Sequence, residues 1–156
     1  MVNALVEQLN ILSHEAKWRA VVFKSYDQNG NCIYHTDCML TLYSHHAVIC
    51  LDAIRDRRQR QKVVEELVSN ALNTHGSPYD IINISLEEIN HMVCNGFNLR
   101  DEQGYSIITM SARAYGAIDK DKLAELKRHY TLVVPDIQVL EDVGGGSTRC
   151  LLAEHF

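Results

Sequence analysis

Two short strings hold residue types that could do chemistry together. The first, Ile33-Tyr34-His35-Thr36-Asp37-Cys38, falls in a stretch that reads as a β-strand, where side chains alternate between faces. On such a strand His35 and Asp37 point the same way. An imidazole titrating near neutrality can move protons, and a carboxylate that stays ionised can hold a positively charged group. The plain alternative is a strand-end histidine and aspartate facing solvent. The second string, Gly144-Gly145-Gly146-Ser147-Thr148-Arg149-Cys150, sets a cysteine just beyond three consecutive glycines. Glycines let the backbone approach a ligand and adopt angles closed to other residues, so a thiol beyond them is open to a substrate. Its alternative is a flexible turn leading into a terminal strand with a buried cysteine. The string lacks the lysine and spacing of a phosphate-binding loop, and Arg149, on a strand, should point away from Cys150.

Cys32, His35 and Cys38 are also zinc-ligand types. Strand parity puts positions 32 and 38 on one face and 35 on the other, so the three could not converge without a bulge. No metal is expected there, and Cys32 and Cys38 read as core thiols. His91 reads as a helix-end residue, Asn95-Gly96 as a turn, and His45-His46 as a solvated hairpin tip.

The elements that would position these groups alternate between strand and helix. Val2, Leu5, Leu9 and Leu12 recur at helical spacing. Ala20 to Lys24, the turn Asp27 to Asn31, and Cys32 to Tyr43 read as a hairpin with a long second strand. Ala47 to Leu51 reads as a strand, followed by a helix from Arg55 to Leu72 with Val63, Val64, Leu67, Val68 and Ala71 as its buried stripe. Gly76-Ser77-Pro78 closes it. Asp80 to Ile84 is a buried strand, and Ser85 with Glu88 is a capping box opening a brief helix through His91. Phe97 to Arg100 and Tyr105 to Met110 form a second hairpin, Ser111 and Asp119 cap two helices, and Thr131 to Val134 returns as a strand. A helix from Asp136 to Glu141, the glycine loop, and a strand from Arg149 to Glu154 complete the chain. The order hairpin, helix, strand thus occurs twice, with no linker between the rounds.

At 156 residues and 46% hydrophobic content, residues 1–156 have the size of one domain with a real core. The net charge of -5 is spread along the chain, without the basic stripe that phosphate backbones require. Nucleic acid is therefore not an expected partner. No apolar run approaches the roughly 18 residues that span a bilayer, and the start lacks a signal-peptide layout. The five cysteines are odd in number and irregularly spaced, which suits reduced thiols in the cytosol. The sequon Asn83-Ile84-Ser85 then reads as accidental.

Taken together, the strings resemble one superfamily. His35-Thr36-Asp37 resembles the His-x-Asp element of the arginine deiminase-like, amidinotransferase-superfamily enzymes, and Gly144 to Cys150 resembles the glycine-rich stretch that delivers their nucleophilic cysteine. Ala47 to Ile54, Asn90-His91, Asn95 and Met110 to Tyr115 are similar to the bacterial branch of citrulline and arginine hydrolases. The resemblance covers Val21 to Phe156. It implies an α/β fold, a partial pentein-like propeller of about two to three ββαβ modules forming the C-terminal half of a five-module ring. It implies covalent catalysis on a guanidino or ureido amino acid, with Cys150 the nucleophile, His35 the acid/base, and Asp37 and Asn95 binding substrate. No cofactor is expected. The N-terminal modules, which in that family supply a further substrate carboxylate and the acid that orients the histidine, have no counterpart in this chain. The expectation is self-association or pairing with a separately made N-terminal half. The other reading is a truncated, non-catalytic homologue serving as a binding or interaction module.

Overall fold

Two strand-rich units follow one another along the chain in the computed structural model, which describes residues 2–12, 18–70 and 76–153. In the first, β1 (Leu40–Leu42) pairs antiparallel with β2 (His46–Ile49), and β3 (Asp80–Asn83) lies parallel to β2. In the second, β4 (Phe97–Arg100) pairs antiparallel with β5 (Ser106–Thr109), and β6 (Thr131–Val133) lies parallel to β5. Each sheet therefore has the hairpin's second strand in its middle. A parallel neighbour requires a crossover connection. Helix α2 (Arg57–Glu65), continued by a π-helical turn at Glu66–Asn70, supplies it in the first unit, after α1 (Val2–Leu12), which buries none of its residues. In the second unit, the crossover holds α4 (Ala112–Ala117) and α5 (Lys120–His129). Helix α3 (Leu86–Asn90) joins the units, and α6 (Gln138–Gly144) leads into the tail. The fold is mixed α/β, and each unit runs hairpin, helix, strand, the first hairpin being β1–β2 rather than the expected pairing of Ala20 to Lys24 with Cys32 to Tyr43. Among the described residues no helix is long and apolar enough to cross a membrane.

Central position explains burial. All four residues of β2 are buried, as a strand covered on both faces should be. One apolar core runs through both units, taking Val48, Ile49 and Ile54 from the first and Ile108, Met110 and Leu126 from the second. The turn between β1 and β2 is tied to the second unit as well. Ser44 N and Oγ donate to Asn98 Oδ1 at 2.6 and 3.0 Å, and His45 N donates to the Tyr130 hydroxyl at 2.9 Å.

Helix starts follow local chemistry. Ser85, Ser111 and Asp119 each accept a backbone N–H from the first turn of α3, α4 and α5, as their sequence positions suggest. Glu88 does more than complete the capping box. One of its carboxylate oxygens accepts from Ser85 N and Lys122 Nζ, both at 2.7 Å, and the other accepts from Asp119 N at 3.0 Å, which locks α3 to α5. Burial alone would raise the Glu88 pKa, but Lys122 and the N–H donors outweigh it and hold the group below its ordinary value of 4.5. Because the folded value is depressed, this stabilisation is present above about pH 4.5 and is lost as pH falls through the lower folded value. Glu88→Gln should cost roughly 2 kcal/mol at neutral pH. Melting curves should show the variant losing less stability on acidification than the parent.

Tyr43 offers a second check on packing. It is 2% exposed, and its hydroxyl finds no hydrogen-bond partner among the described residues. Burial, and then the neighbouring Cys94, push its pKa up. Deleting a buried, unbonded hydroxyl removes a desolvation penalty, so Tyr43→Phe should stabilise the fold by about 1 kcal/mol. A lower melting temperature for the variant would show that the hydroxyl is bonded after all.

Several local expectations need correction: Val68 of the expected buried stripe is exposed, and His46, expected at a solvated tip, is buried. Ala20 to Lys24 and Cys32 form no extended hairpin, and only Tyr26 and Cys32 are bridged. The long strand from Cys32 to Tyr43 is instead a 3-10 turn at Thr36–Cys38 followed by β1, because pairing with β2 starts only at Met39, whose carbonyl accepts Cys50 N at 2.9 Å. Cys32 and Cys38 are exposed, and Cys50 and Cys94 are the buried thiols. The tail forms a 3-10 turn at Thr148–Leu151 where a strand was expected. Ala71, Leu72 and Glu154 lie outside the described residues.

Candidate active site

His35 has extended backbone, with φ -109° and ψ 123°, and caps the 3-10 turn Thr36–Cys38. Alternation along a strand therefore does not govern this segment, yet the turn still sets His35 and Asp37 on one cavity. That cavity, about 460 Å³, is lined by His35, Thr36, Asp37, Leu40, Thr41, Leu42 and Arg149. A larger groove of about 810 Å³ surrounds the Glu88–Lys122 ion pair and contains no cysteine. The smaller cavity takes one residue of the tail, Arg149, into its lining.

Asn95 links the two chemically interesting strings. It is 4% exposed and follows Met92, whose positive φ of 64° ends the turn after α3. Gly96 next to it cannot carry a side chain, since a Cβ there would lie 2.2 Å from the Tyr43 hydroxyl. This close packing fixes Asn95 in place. Its Oδ1 accepts Ser147 N at 3.0 Å, a backbone donor that sets which way the amide faces. The same oxygen accepts the Cys150 thiol at 3.4 Å, and Nδ2 lies 3.5 Å from Asp37 Oδ2. The Asn95 carbonyl accepts Thr148 Oγ1 at 2.8 Å and Arg149 N at 3.1 Å. One buried amide thus joins Asp37 to Cys150.

The glycine loop has separable parts. Gly145, at φ 70°, is the left-handed C-cap of α6. Gly146 is needed for space, because a Cβ there would sit 2.7 Å from Cys150 Cβ and 2.9 Å from its Sγ. Ser147 is fully buried and donates to Glu141 Oε1 at 2.6 Å. Arg113 Nε lies 3.2 Å from the other oxygen of Glu141 and steadies that carboxylate as an ion pair. The loop therefore hangs from a buried acid on one side and from Asn95 on the other.

Cys150 is exposed, as is His35. Among the described residues the thiol's hydrogen bond goes to Asn95 rather than to the imidazole. Arg149 does not turn away from the site. Its guanidinium lies over the Phe97 ring at 5.5 Å while lining the cavity. Cys38 is close enough to feel the tail, and its thiol pKa is raised by partial burial, then by Asp37 and Cys150. A carboxylate, a guanidinium and an imidazole line one cavity, and the Cys150 thiol, outside that lining, is joined to the Asp37 carboxylate through the Asn95 amide.

A model of the eukaryotic N,N-dimethylarginine dimethylhydrolase family matches residues 4–156. The chain belongs to that family. The dimethylarginine dimethylhydrolases place it in the arginine deiminase and amidinotransferase superfamily that the His35 and Cys150 strings resemble. The match is to the eukaryotic family and does not speak to the bacterial branch. Among solved structures, a crystal structure described provisionally as a peptidyl-arginine deiminase is 18% identical, with a TM-score of 0.41, over 99% of this chain and 48% of that one. This dimethylarginine dimethylhydrolase-family chain thus spans about half the length of that protein. No curated protein matches it.

Proposed function

We propose that the protein hydrolyses the guanidino group of a free amino acid through a covalent intermediate on Cys150. The observation that carries the reading is the Asn95 amide, which connects the Cys150 thiol to the Asp37 carboxylate, and Asp37 shares a cavity with His35. Asp37 pairs with the substrate's guanidinium by charge-assisted hydrogen bonds. Arg149 takes the α-carboxylate. The Cys150 thiolate attacks the guanidinium carbon, a C–S bond forms, and His35 protonates the departing amine as the C–N bond breaks. His35 then removes a proton from water, which attacks the same carbon. The C–S bond breaks, the thiolate returns, and a ureido amino acid leaves.

The family's name points to dimethylarginine as the substrate within this class. Water and dimethylarginine would then give citrulline and dimethylamine, whereas arginine would give citrulline and ammonia. We read these residues as C-terminal modules of a propeller, with the remaining substrate carboxylate and the acid that orients His35 lying outside them. A non-catalytic interaction module is the second reading, favoured by Val139, Leu140 and Val143, which stand exposed on α6 beside the glycine loop. Incubation with dimethylarginine, followed by separate measurement of citrulline and dimethylamine in equal amounts, supports the first reading. Absence of both products, alone and with a complementing chain, supports the second.

A further inference from the structure

Three ligand-type side chains meet where β2 packs on the end of α5. Glu125 and His129 are four residues apart on α5 and so share a face, and His46 reaches them from β2. Glu125 Oε1 lies 3.6 Å from His46 Nε2 and 3.3 Å from His129 Nε2, and the three ligand atoms all fall within 4.8 Å of one another. We propose that His46, Glu125 and His129 form a binding site for a divalent transition-metal ion of the zinc type.

The spacing fits an ion better than a plain ion pair. Both nitrogen–oxygen separations exceed a good hydrogen bond, yet a tetrahedral zinc ion with bonds of about 2.0–2.1 Å holds its ligand atoms about 3.3 Å apart. The second oxygen of Glu125 is engaged by Arg128 Nη2 at 2.7 Å, which orients the carboxylate and leaves Oε1 facing the two rings. His46 is 1% exposed, and its Nδ1 lies 3.0 Å from the Tyr130 hydroxyl. A histidine ligand characteristically donates its other ring N–H to such a partner, which fixes the tautomer that presents a lone pair to the metal. His45 and Asp80 complete the ionisable surroundings, with the His45 ring 5.4 Å from that of His129 and Asp80 opposite His46 in the sheet. Two imidazoles and a carboxylate suit zinc, cobalt or nickel rather than calcium or magnesium.

The site would clip the first unit to the second. The test uses the whole chain, titrated with zinc by calorimetry and with cobalt by visible absorption, and melted with and without zinc. One ion should bind, the melting temperature should rise, and the cobalt spectrum should lack thiolate charge-transfer intensity. Glu125→Gln and His129→Gln change partly exposed side chains and should abolish this binding while the metal-free proteins melt near the parent. Tyr130→Phe should weaken it by about tenfold or more. Cys150→Ser should leave it intact, which separates this site from the proposed catalytic thiol. Zinc binding unchanged in Glu125→Gln and His129→Gln, binding lost in Cys150→Ser, or no binding at all would each overturn the proposal.

Discussion

Replacing Cys150 with serine should lower citrulline release by on the order of 10⁴-fold or more, with almost no change in stability. The rate effect follows from chemistry. A thiolate is accessible near neutral pH, whereas a serine hydroxyl needs an activating base already in contact with it. The Cys150 sulfur here leans on an amide oxygen at 3.4 Å, a position from which serine gains no such activation. Stability should hold because residue 150 is exposed, and surface substitutions of this kind usually stay within about 0.5 kcal/mol. Steady-state citrulline assays beside melting curves read both effects. A comparable fall in melting temperature would assign the lost activity to unfolding, and full activity in the variant would remove Cys150 from the mechanism.

The second large effect is expected at Gly146. A methyl group added there would fall 2.7 Å from Cys150 Cβ and 2.9 Å from Sγ, closer than carbon and sulfur can approach. The backbone is not left-handed at this position, so alanine is excluded by what it touches rather than by its dihedral angles. The 3-10 turn at Thr148–Leu151 must shift, and with it the thiol. Misplacing a reacting group by about 1 Å can cost about 10²-fold in rate, and Gly146→Ala should show a loss of that order. Gly145→Ala is the informative contrast. Its φ of 70° penalises a side chain, but nothing lies within 4 Å of the new methyl. That variant should lose about 1 kcal/mol of stability from the strained cap while keeping most of its activity. Equal losses of activity in the two would mean that loop conformation matters and the contact with Cys150 does not.

The comparison of these glycines also shows what could be read from the chain. Helix caps at Ser85, Ser111 and Asp119 depend on groups within three residues, and their sequence signatures sufficed. The hairpin from Phe97 to Thr109 was likewise legible from alternation and the turn at Gly104. The segment around His35 was not, because its β-prone residues have no partner strand before Met39 and fold into a turn. The tail departs from the expected strand for a related reason. Thr148 and Arg149 send their hydrogen bonds to Asn95, some 53 positions away in the chain for Thr148, and that demand overrides the local preference for a strand.

The family pattern singled out Cys150, His35, Asp37 and Asn95, while the part Asn95 plays between Asp37 and Cys150 came only from the folded chain. His46 reads as solvated because a hairpin tip ordinarily faces water. Here the tip is Ser44-His45, and His46, already in β2, lies under Tyr130 from 84 positions further on. Nothing in the local sequence marks that contact.

The proposed chemistry requires Cys150 to be the reactive thiol, served by the His35 and Asp37 that share one cavity. Three thiols, Cys32, Cys38 and Cys150, are exposed, so exposure alone would not favour one of them. The direct measurement is the rate at which a haloacetamidine, a guanidine mimic, alkylates each cysteine, resolved by mass spectrometry. Modification should go first to Cys150 and slow sharply in Asp37→Asn, which removes the carboxylate that would hold the reagent's cation. Equal rates at Cys32 and Cys150, both indifferent to Asp37, would contradict the account.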